Sequence, residues 1–297
     1  MIRSTYYTGK LIQKIIVEMI TLILKIAHKI HRLCNKNKNK TTLINNQLPE
    51  KSFVIVITSY NNERYCEKNL ASVLNQNYSN FRVIYIDDCS TDKTSKITEE
   101  YIKNNDHQKK ISFFKNKQRN LKLANLYQII HTLPDEEVVI ELDGDDYLAH
   151  PHVLKIINQK YHETNALIVH ATYENQPANL AEQLKLQHFS QETPYFVKKL
   201  NLFRKYPWIY SGLRTYYVGL FKKINKEDLL CKIPPFEGKF FPVSHDLAIM
   251  YPMLEKAHTQ IAYIPDKLLI RNIDSSINDF KKYDSQLRKK INQQIIS

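Results

Sequence analysis

The chain of 297 residues has a formal charge of +13, and that charge is unevenly distributed. Residues 1–52 hold 10 Lys and Arg against two acids, so the rest of the chain is only mildly basic. The 5 glycines form neither a G-x-G-x-x-G nor a Walker-type phosphate loop, which means that any nucleotide must be held in another way. The four cysteines contain no C-x-x-C pair, which favours free thiols in a reducing, cytoplasmic compartment over a disulfide framework or a zinc site.

Residues 1–34 are predicted to form an amphipathic helix. Between Leu11 and Leu33, charged and polar residues recur every three or four positions and so share one helix face. The longest uncharged run, Met19 to Leu24, is far shorter than the about 20 residues that a bilayer span needs. Two interpretations stay open: a basic helix lying peripherally on the anionic inner face of a membrane, and a helix packed on its own domain or on a second subunit. Residues 35–51 are predicted to be a linker.

From Phe53 onward, short apolar runs alternate with helical stretches. The predicted strands are "FVIVI" (Phe53–Ile57), "RVIYI" (Arg82–Ile86), "ISFF" (Ile111–Phe114) and "VVIEL" (Val138–Leu142). Continuous apolar runs of this length are typical of strands that are buried on both faces. The alternation therefore predicts an α/β fold, with a mostly parallel sheet flanked by helices.

Polar side chains follow three of these four strands and are expected at one edge of the sheet. In such sheets, ligands bind outside the carboxyl ends of the strands. After the fourth strand, Asp143, Asp145 and Asp146 stand within four residues, which a turn alone does not require. A hard divalent cation, Mg²⁺ or Mn²⁺, held by one or two carboxylates and by substrate phosphates, would offset the repulsion between these acids.

The segments "FVIVITSYNNE", "YIDDCSTDKT" and "VIELDGDDYL", in this order, resemble the inverting family 2 glycosyltransferases of the GT-A fold. The resemblance extends from about residue 53 to 282. It implies a Rossmann-like domain with a nucleotide-sugar-binding half at 52–150 and an acceptor-binding half at 151–282, followed by a C-terminal tail at 283–297. The nucleoside contacts that it implies are Thr58, Tyr60, Glu63 and one of Asp87 and Asp88. The D-x-D motif of the family falls on Asp143 and Asp145, for binding the ribose and a Mn²⁺ or Mg²⁺ ion that bridges the diphosphate, and Asp146 completes the motif.

The same resemblance covers the second half of the chain. It implies that Asp246, preceded by His245, is the general base, and that Trp208 and Arg214 lie on the acceptor side. Arg119 or Lys122 is expected to reach a phosphate. The implied reaction moves a hexose from a nucleotide sugar, a UDP-sugar in the first instance, to a hydroxyl of a glycan or glycolipid. Since the Q-x-x-R-W signature of processive synthases is absent, we expect a single addition per encounter.

Plainer interpretations and other functions stay open at this point. Trp208 reads equally well as a core residue, Arg214 as a salt-bridge partner and His245 as a structural histidine. A non-catalytic sugar-nucleotide-binding protein of the same fold is one alternative. A Mg²⁺-dependent phosphohydrolase is another, although its D-x-D-x-T motif would place Thr where Tyr147 stands. The basic N-terminus makes nucleic-acid binding a third alternative. No recognition motif supports it, and we expect no nucleic-acid partner.

Overall fold

The computed structural model describes residues 48–186, 190–275 and 283–297, together with residues 19, 22, 23, 25–27, 29 and 30 of a helix near the N-terminus. Most of the predicted amphipathic helix and residues 35–47 of the predicted linker lie outside the described residues. The described part of the chain contains no helix that is long and apolar enough to span a bilayer.

One curled sheet of eight strands forms the centre of the described molecule, in the order β3-β2-β1-β4-β7-β6-β8-β5. The strands are β1 Phe53–Ser59, β2 Phe81–Asp87, β3 Ile111–Lys115, β4 Val138–Asp143, β5 Tyr147–Leu148, β6 Ile168–Gln176, β7 Leu213–Tyr217 and β8 Ile261–Asn272. The four predicted strands are confirmed as β1 to β4, and they pair in parallel. The sheet becomes mixed beyond β4, because β7 runs antiparallel to both β4 and β6, whereas β6 and β8 are parallel.

Helices cover both faces of the sheet, as predicted. They are α1 Cys66–Leu74, α2 Thr94–Asn105, α3 Lys122–Ile130, α4 Val153–Thr164, α5 Ala178–Gln183, α6 Tyr195–Lys199, α7 Val218–Phe221, α8 His245–Ala257 and α9 Ser285–Ile296, with short 3₁₀ turns at Phe203–Lys205 and Lys226–Leu229. Alternate residues of β1 point into different cores: Val54 and Val56 pack in the core under α3, α8 and α9, whereas Ile55 and Ile57 pack in the core under α1 and α4. This two-sided burial explains why β1 reads as an unbroken apolar run.

The strand register brings the predicted polar residues to one edge. Ser59 at the end of β1 pairs with Asp87 of β2, and Thr58 pairs with Asp143 of β4. The carboxyl ends of the three central strands therefore meet where the sequence places its acids, and the functional site is built on this edge.

The predicted C-terminal tail contains a docked helix. In α9 the side chains of Ile291 and Ile295 are buried in the core under α8, and Asp284 caps the helix by accepting hydrogen bonds from the N–H groups of Gln286 and Leu287. Gln294 bonds the backbone of the loop before α8, since its Nε2 donates to the Leu230 carbonyl oxygen at 2.9 Å. Residues 285–296 are therefore part of the folded domain.

Replacing Ile291 by Ala should lower the free energy of unfolding by about 2–4 kcal/mol, the cost of a cavity at a fully buried position. Chemical denaturation of the full chain measures it. The matched control is Gln293→Ala on the exposed face of α9, expected within about 0.5 kcal/mol of the unchanged protein. Equal stabilities for the two variants would mean that α9 does not contribute to the core.

Candidate functional site

A cleft of about 960 Å³ opens at the carboxyl edge of the sheet. It is lined from the N-terminal half by Thr58, Ser59, Tyr60, Asn62, Asp88, Arg119, Lys122 and Asn125, at the end of β4 by Glu141, Asp143, Asp145 and Asp146, and from the rest of the chain by Trp208, Arg214, His245, Asp246, Arg271, Asn272, Arg288 and Asn292. Several of these residues keep a buried polar atom with no hydrogen-bond partner in the described structure, which is typical of a surface that binds a polar ligand.

The part of the cleft lined by the N-terminal half, here called the first wall, places the cationic side chain of Arg119 over the ring of Tyr60. The Arg119 guanidinium lies 3.5 Å from the centre of the Tyr60 ring, and its Nε lies 4.0 Å from an oxygen of Asp88. Asp88 in turn accepts hydrogen bonds from the N–H groups of Asn120 and Leu121, at 2.9 and 2.8 Å. The loop before α3 is thus fixed by Asp88, and a flat ring and a planar guanidinium are available for stacking on a nucleobase.

Two of the residues implied by the resemblance do not line the cleft. Asp87 is fully buried and accepts hydrogen bonds from the Ser90 N–H at 3.0 Å and from the Ser90 and Ser95 hydroxyls. Glu63 accepts a hydrogen bond from the Lys93 N–H at 2.9 Å, next to α2. Of the adjacent pair, Asp88 faces the cleft while Asp87 organises the turn behind it.

The loop after β4 that carries Asp143, Asp145 and Asp146, here called the acid loop, is held by close backbone contacts. The Gly144 N–H donates to the Thr58 carbonyl oxygen at 3.0 Å, and a Cβ at Gly144 would stand only 2.6 Å from the Cβ of Ser59. No larger residue fits without a shift of β1. Asn69 of α1 donates through its Nδ2 to the carbonyl oxygens of Asp143 and Asp146, at 2.9 and 2.7 Å. Asn69 is a positioning residue that the sequence did not single out.

Lys122 compensates part of the crowded negative charge. Its Nζ donates a hydrogen bond to Asp143 and lies 3.8 Å from an oxygen of Glu141. Burial would raise the pKa of Asp143, but the Lys122 ammonium, together with Arg214, holds it well below its usual range. Burial likewise would lower the pKa of Lys122, but the two carboxylates raise it, so this lysine stays charged.

The next two acids form no ion pair with another described residue, and their pKa values are raised. Burial and the charge of Asp143 raise the pKa of Asp145 to about 6. Burial and the charges of Asp145 and Asp143 raise the pKa of Asp146 well above its usual value, although Asp146 also accepts a hydrogen bond from the Asn272 N–H at 2.8 Å. The unrelieved repulsion therefore falls on Asp145 and Asp146, and of these two Asp145 is the more exposed to the cleft.

A divalent cation fits this arrangement at one carboxylate. The described residues contain no cluster of three or more His, Cys, Asp or Glu side chains placed to hold a metal. Mg²⁺ and Mn²⁺ in nucleotide sites commonly take one or two carboxylates and complete their shell with phosphates and water. Asp145 has the oxygen donors, the cleft exposure and the excess negative charge for this role, whereas Asp143 is already paired with Lys122.

The second wall of the cleft, from the rest of the chain, combines an acid at a helix start with a largely buried arginine. Asp246 lies in the first turn of α8, and Arg214 of β7 lies 3.5 Å from Glu141. Burial would lower the pKa of Arg214, but Glu141, Asp246 and Asp143 raise it. Burial and Lys122 lower the pKa of His245, which keeps this histidine neutral. The structure thus brings Asp143, Asp145 and Asp246 to one cleft, together with Trp208, whose Nε1 donates to Ser211 Oγ at 2.8 Å.

Glu141 is a site residue that the sequence analysis missed. Its side chain is only 1% exposed, and it accepts a hydrogen bond from the Tyr216 hydroxyl at 2.8 Å in addition to its contacts with Lys122 and Arg214. The signal was present, because Glu141 interrupts an apolar strand two residues before Asp143 and therefore shares its side of β4. Arg288 and Asn292 of α9 were also missed, since the tail carried no recognisable motif.

The family model described as "Glycosyl transferase family 2" matches residues 54–225, more than half of the chain. The chain belongs to glycosyl transferase family 2. Its similar relatives include the poly(ribitol-phosphate) beta-N-acetylglucosaminyltransferase TarS of Staphylococcus aureus, which is 32% identical over 104 residues. That match covers 32% of this chain but only 16% of TarS.

Two solved structures share the GT-A architecture with this family 2 chain. TarS residues 1–349 in complex with UDP-GlcNAc align with a TM-score of 0.60 at 17% identity, over 82% of this chain and 65% of that one. The mannosyltransferase PcManGT from Pyrobaculum calidifontis, in complex with GDP-Man and Mn²⁺, aligns with a TM-score of 0.54 at 13% identity, over 88% of this chain and 70% of that one. These likenesses confirm the predicted fold.

The raised pKa of Asp145 predicts a gain in stability when its charge is removed. An acid whose pKa rises on folding stabilises the fold below its unfolded pKa, and that contribution is lost as the pH rises through the folded value of about 6. In EDTA, Asp145→Asn should therefore raise the free energy of unfolding by about 1–3 kcal/mol above pH 6, with the gain shrinking toward pH 4. Denaturation curves across this range measure it.

The matched control is Glu99→Gln, an exposed charge removal on α2. It should change the stability by less than about 0.5 kcal/mol at every pH. If Asp145→Asn changed the free energy of unfolding as little as this control at every pH, the carboxylates of the acid loop would not repel one another appreciably.

Proposed function

We propose that this chain is a metal-dependent inverting transferase that moves a hexose from a nucleoside diphosphate sugar to a hydroxyl of a glycan or glycolipid acceptor, one sugar per encounter. The proposal rests on one observation: the acid loop after β4 and Asp246 at the start of α8 line the same cleft. An inverting displacement needs a base on the acceptor side and charge stabilisation on the leaving diphosphate. The two walls of the cleft supply these two parts.

The donor would lie along the N-terminal wall. Tyr60 and Arg119 offer stacking surfaces for the base, and Asp88 keeps the loop that bears Arg119 in place. Thr58 and Asp143 then lie toward the ribose, and Asp145 lies toward the diphosphate. A Mn²⁺ or Mg²⁺ ion held by Asp145 would supply positive charge against the leaving group. UDP is the nucleotide that we favour, because the TarS structure holds UDP-GlcNAc, and Mn²⁺ accompanies GDP-Man in PcManGT.

The acceptor would lie against the second wall. Asp246 accepts the proton of the attacking hydroxyl, and its carboxylate is one of the charges that raise the pKa of Arg214 on the same wall. The neutral His245 adds no second positive charge at this point. Trp208 presents part of its ring to the cleft, where an indole face suits the apolar side of a sugar ring.

Asp246→Asn separates a transferase from a sugar-nucleotide-binding protein. The variant should lose about 10²–10⁴-fold in turnover, the usual contribution of a general base, while its affinity for the nucleotide stays unchanged. We would measure diphosphate release from a panel of UDP-, GDP- and TDP-sugars, with and without Mn²⁺, and nucleotide binding by calorimetry. Asp228→Asn, an exposed Asp in the 3₁₀ turn Lys226–Leu229 that does not line the cleft, is the control.

Two outcomes would contradict the proposal. One is the absence of metal-stimulated diphosphate release from every donor in the panel by the unchanged protein. The other is an Asp246→Asn variant with the turnover of the Asp228→Asn control.

We further propose that the N-terminal helix binds an anionic membrane surface and keeps the enzyme peripheral on the cytoplasmic face. Large apolar side chains spaced three or four positions apart are 51–58% exposed in the described part of this helix, and Lys25 and Lys29 are exposed beside them. The apolar set is Met19, Leu22, Ile23, Ile26 and Ile30. A helix of this kind is suited to the interface of an anionic bilayer.

Deletion of residues 1–45 should abolish co-sedimentation with vesicles that contain an anionic phospholipid, and it should leave donor hydrolysis intact. Neutral phosphatidylcholine vesicles are the control, since surface lysines contribute on the order of 1 kcal/mol each only where the lipid is anionic. Unchanged sedimentation after the deletion would rule out the helix as the membrane-binding element.

A further inference from the structure

Asparagine side chains from the second half of the chain line the cleft with unsatisfied amide atoms. Asn175 of β6 is 5% exposed, and Asn292 lies in α9. Both line the cleft, and the Oδ1 atom of each is buried with no hydrogen-bond partner among the described residues. Because the last torsion of an asparagine is soft, each amide can turn its oxygen or its NH₂ group toward a ligand. Unpaired buried polar atoms are costly, so these amides point to a ligand that satisfies them.

Asn292 is on the same side of the cleft as the proposed base. Its helix, α9, packs against α8, which carries Asp246 in its first turn. Arg204 links the two helices, because its guanidinium donates to the Ile295 carbonyl oxygen of α9 and its Nε lies 2.5 Å from a carboxylate oxygen of Glu255 in α8. Asn292 therefore faces the part of the cleft where the acceptor would lie.

Asn175 is also remote from the strands that carry the donor wall. In the sheet, β4 and β7 stand between β1 and β6. A third asparagine, Asn272, also lines the cleft and has an unpaired Nδ2, but its backbone N–H is bonded to Asp146 of the acid loop at 2.8 Å. We therefore leave Asn272 out of the acceptor side and keep Asn175 and Asn292.

The same cleft presents apolar and aromatic surfaces that suit a sugar ring. Trp208 is held by its hydrogen bond to Ser211 and by edge contacts with Tyr210 and Tyr251, with ring centres 5.3 and 5.5 Å away. Exposed leucines, 56% and 41% accessible, also line the cleft, at positions 184 and 186. Apolar faces cover the C–H groups of a sugar, while neutral amides donate to and accept from its hydroxyls.

A phosphate-bearing acceptor is the competing interpretation. Two cations, Arg271 and Arg288, line the cleft as well. Three acids, Asp145, Asp146 and Asp246, line it with them, so an anion that approached the arginines would also approach carboxylates. An uncharged ligand avoids that repulsion, and the unpaired amides match its hydroxyls.

We propose that Asn175 and Asn292 bind hydroxyl groups of an uncharged sugar or alditol unit in the acceptor, and that they determine acceptor specificity. This inference rests on the proposed function and narrows its acceptor. The amides hold hydroxyls that do not react. At the hydroxyl that does react, the oxygen bonds to the anomeric carbon, the bond from that carbon to the diphosphate breaks, and the proton goes to Asp246.

The fluorescence of Trp208 tests the subsite, since this is the only tryptophan of the chain and it lines the cleft. The full chain, with UDP and Mn²⁺ present, is titrated with glycerol, ribitol, glucose and N-acetylglucosamine. At least one of these probes should give a saturable change. Asn175→Leu and Asn292→Leu should each weaken its binding about two- to ten-fold, the usual effect of one lost neutral hydrogen bond.

Stability measurements separate this role from a structural one. Leu has the branching of Asn without its polar atoms, and the replaced amides are unpaired, so neither variant should unfold more easily than the unchanged protein. Gln293→Leu, on the exposed face of α9, is the matched control and should bind the probe with unchanged affinity. Asn175→Ala repeats the test in β6 if Leu is too large there.

Calorimetry with UDP and with UDP-N-acetylglucosamine distinguishes the acceptor from the hexose of the donor, which also carries hydroxyls. If the amides bind the acceptor, both variants should bind both nucleotides within about two-fold of the unchanged protein. Weaker binding of UDP-N-acetylglucosamine with unchanged binding of UDP would instead assign the amides to the donor hexose.

That assignment is one of three results that would overturn the proposal. The second is an unchanged protein whose fluorescence responds to none of the four neutral probes, whether or not inorganic phosphate changes it. The third is equal probe affinity in the two asparagine variants and in Gln293→Leu. None of these results refutes the proposed transferase, provided that UDP or GDP binds with Mn²⁺. Failure to bind either nucleotide would refute the proposed function itself.

Discussion

The contact between Lys122 and Asp143 is the interaction on which the rest of the site depends. It joins the first turn of α3 to the end of β4, and through Glu141 it extends to Arg214 on β7. Without internal cations, the mutual repulsion of these carboxylates would destabilise this edge of the sheet. The partial compensation leaves the excess negative charge at Asp145, on the cleft side, where a metal ion and a diphosphate would be received.

This charge network also joins the two sets of residues that line the cleft. Lys122 and Tyr60 belong to the half of the chain that would bind the donor, whereas Arg214 and Asp246 belong to the half that would bind the acceptor. Glu141 lies between them and contacts both cations. The position of Lys122 relative to Arg214 is therefore set by buried ion pairs as well as by the strand register.

The sequence predicted the first half of the fold and much of the site, and the reasons are local. Strands β1 to β4 are short apolar runs that end in polar residues, and the parallel pairing rule brings their ends together. It did not predict β6, β7 and β8, because their burial depends on long-range pairing. It also did not predict the packing of α9, which buries Ile291 and Ile295 and packs Leu287 against the same core. The sequence also did not determine which of Asp87 and Asp88 faces the cleft. The two residues are adjacent, and only the conformation of the following turn decides where each side chain points.

The hydrogen bond from the Asn272 N–H to Asp146 has a consequence for the order in which the molecule is assembled. The acid loop lies near residue 145, but its last backbone partner is more than a hundred positions further along the chain. During translation, the loop leaves the ribosome long before β8 exists to receive it. A nascent chain therefore carries an incomplete cleft, and only a polypeptide that has been synthesised past β8 and α9, which contributes Arg288 and Asn292, has the cleft in its finished form.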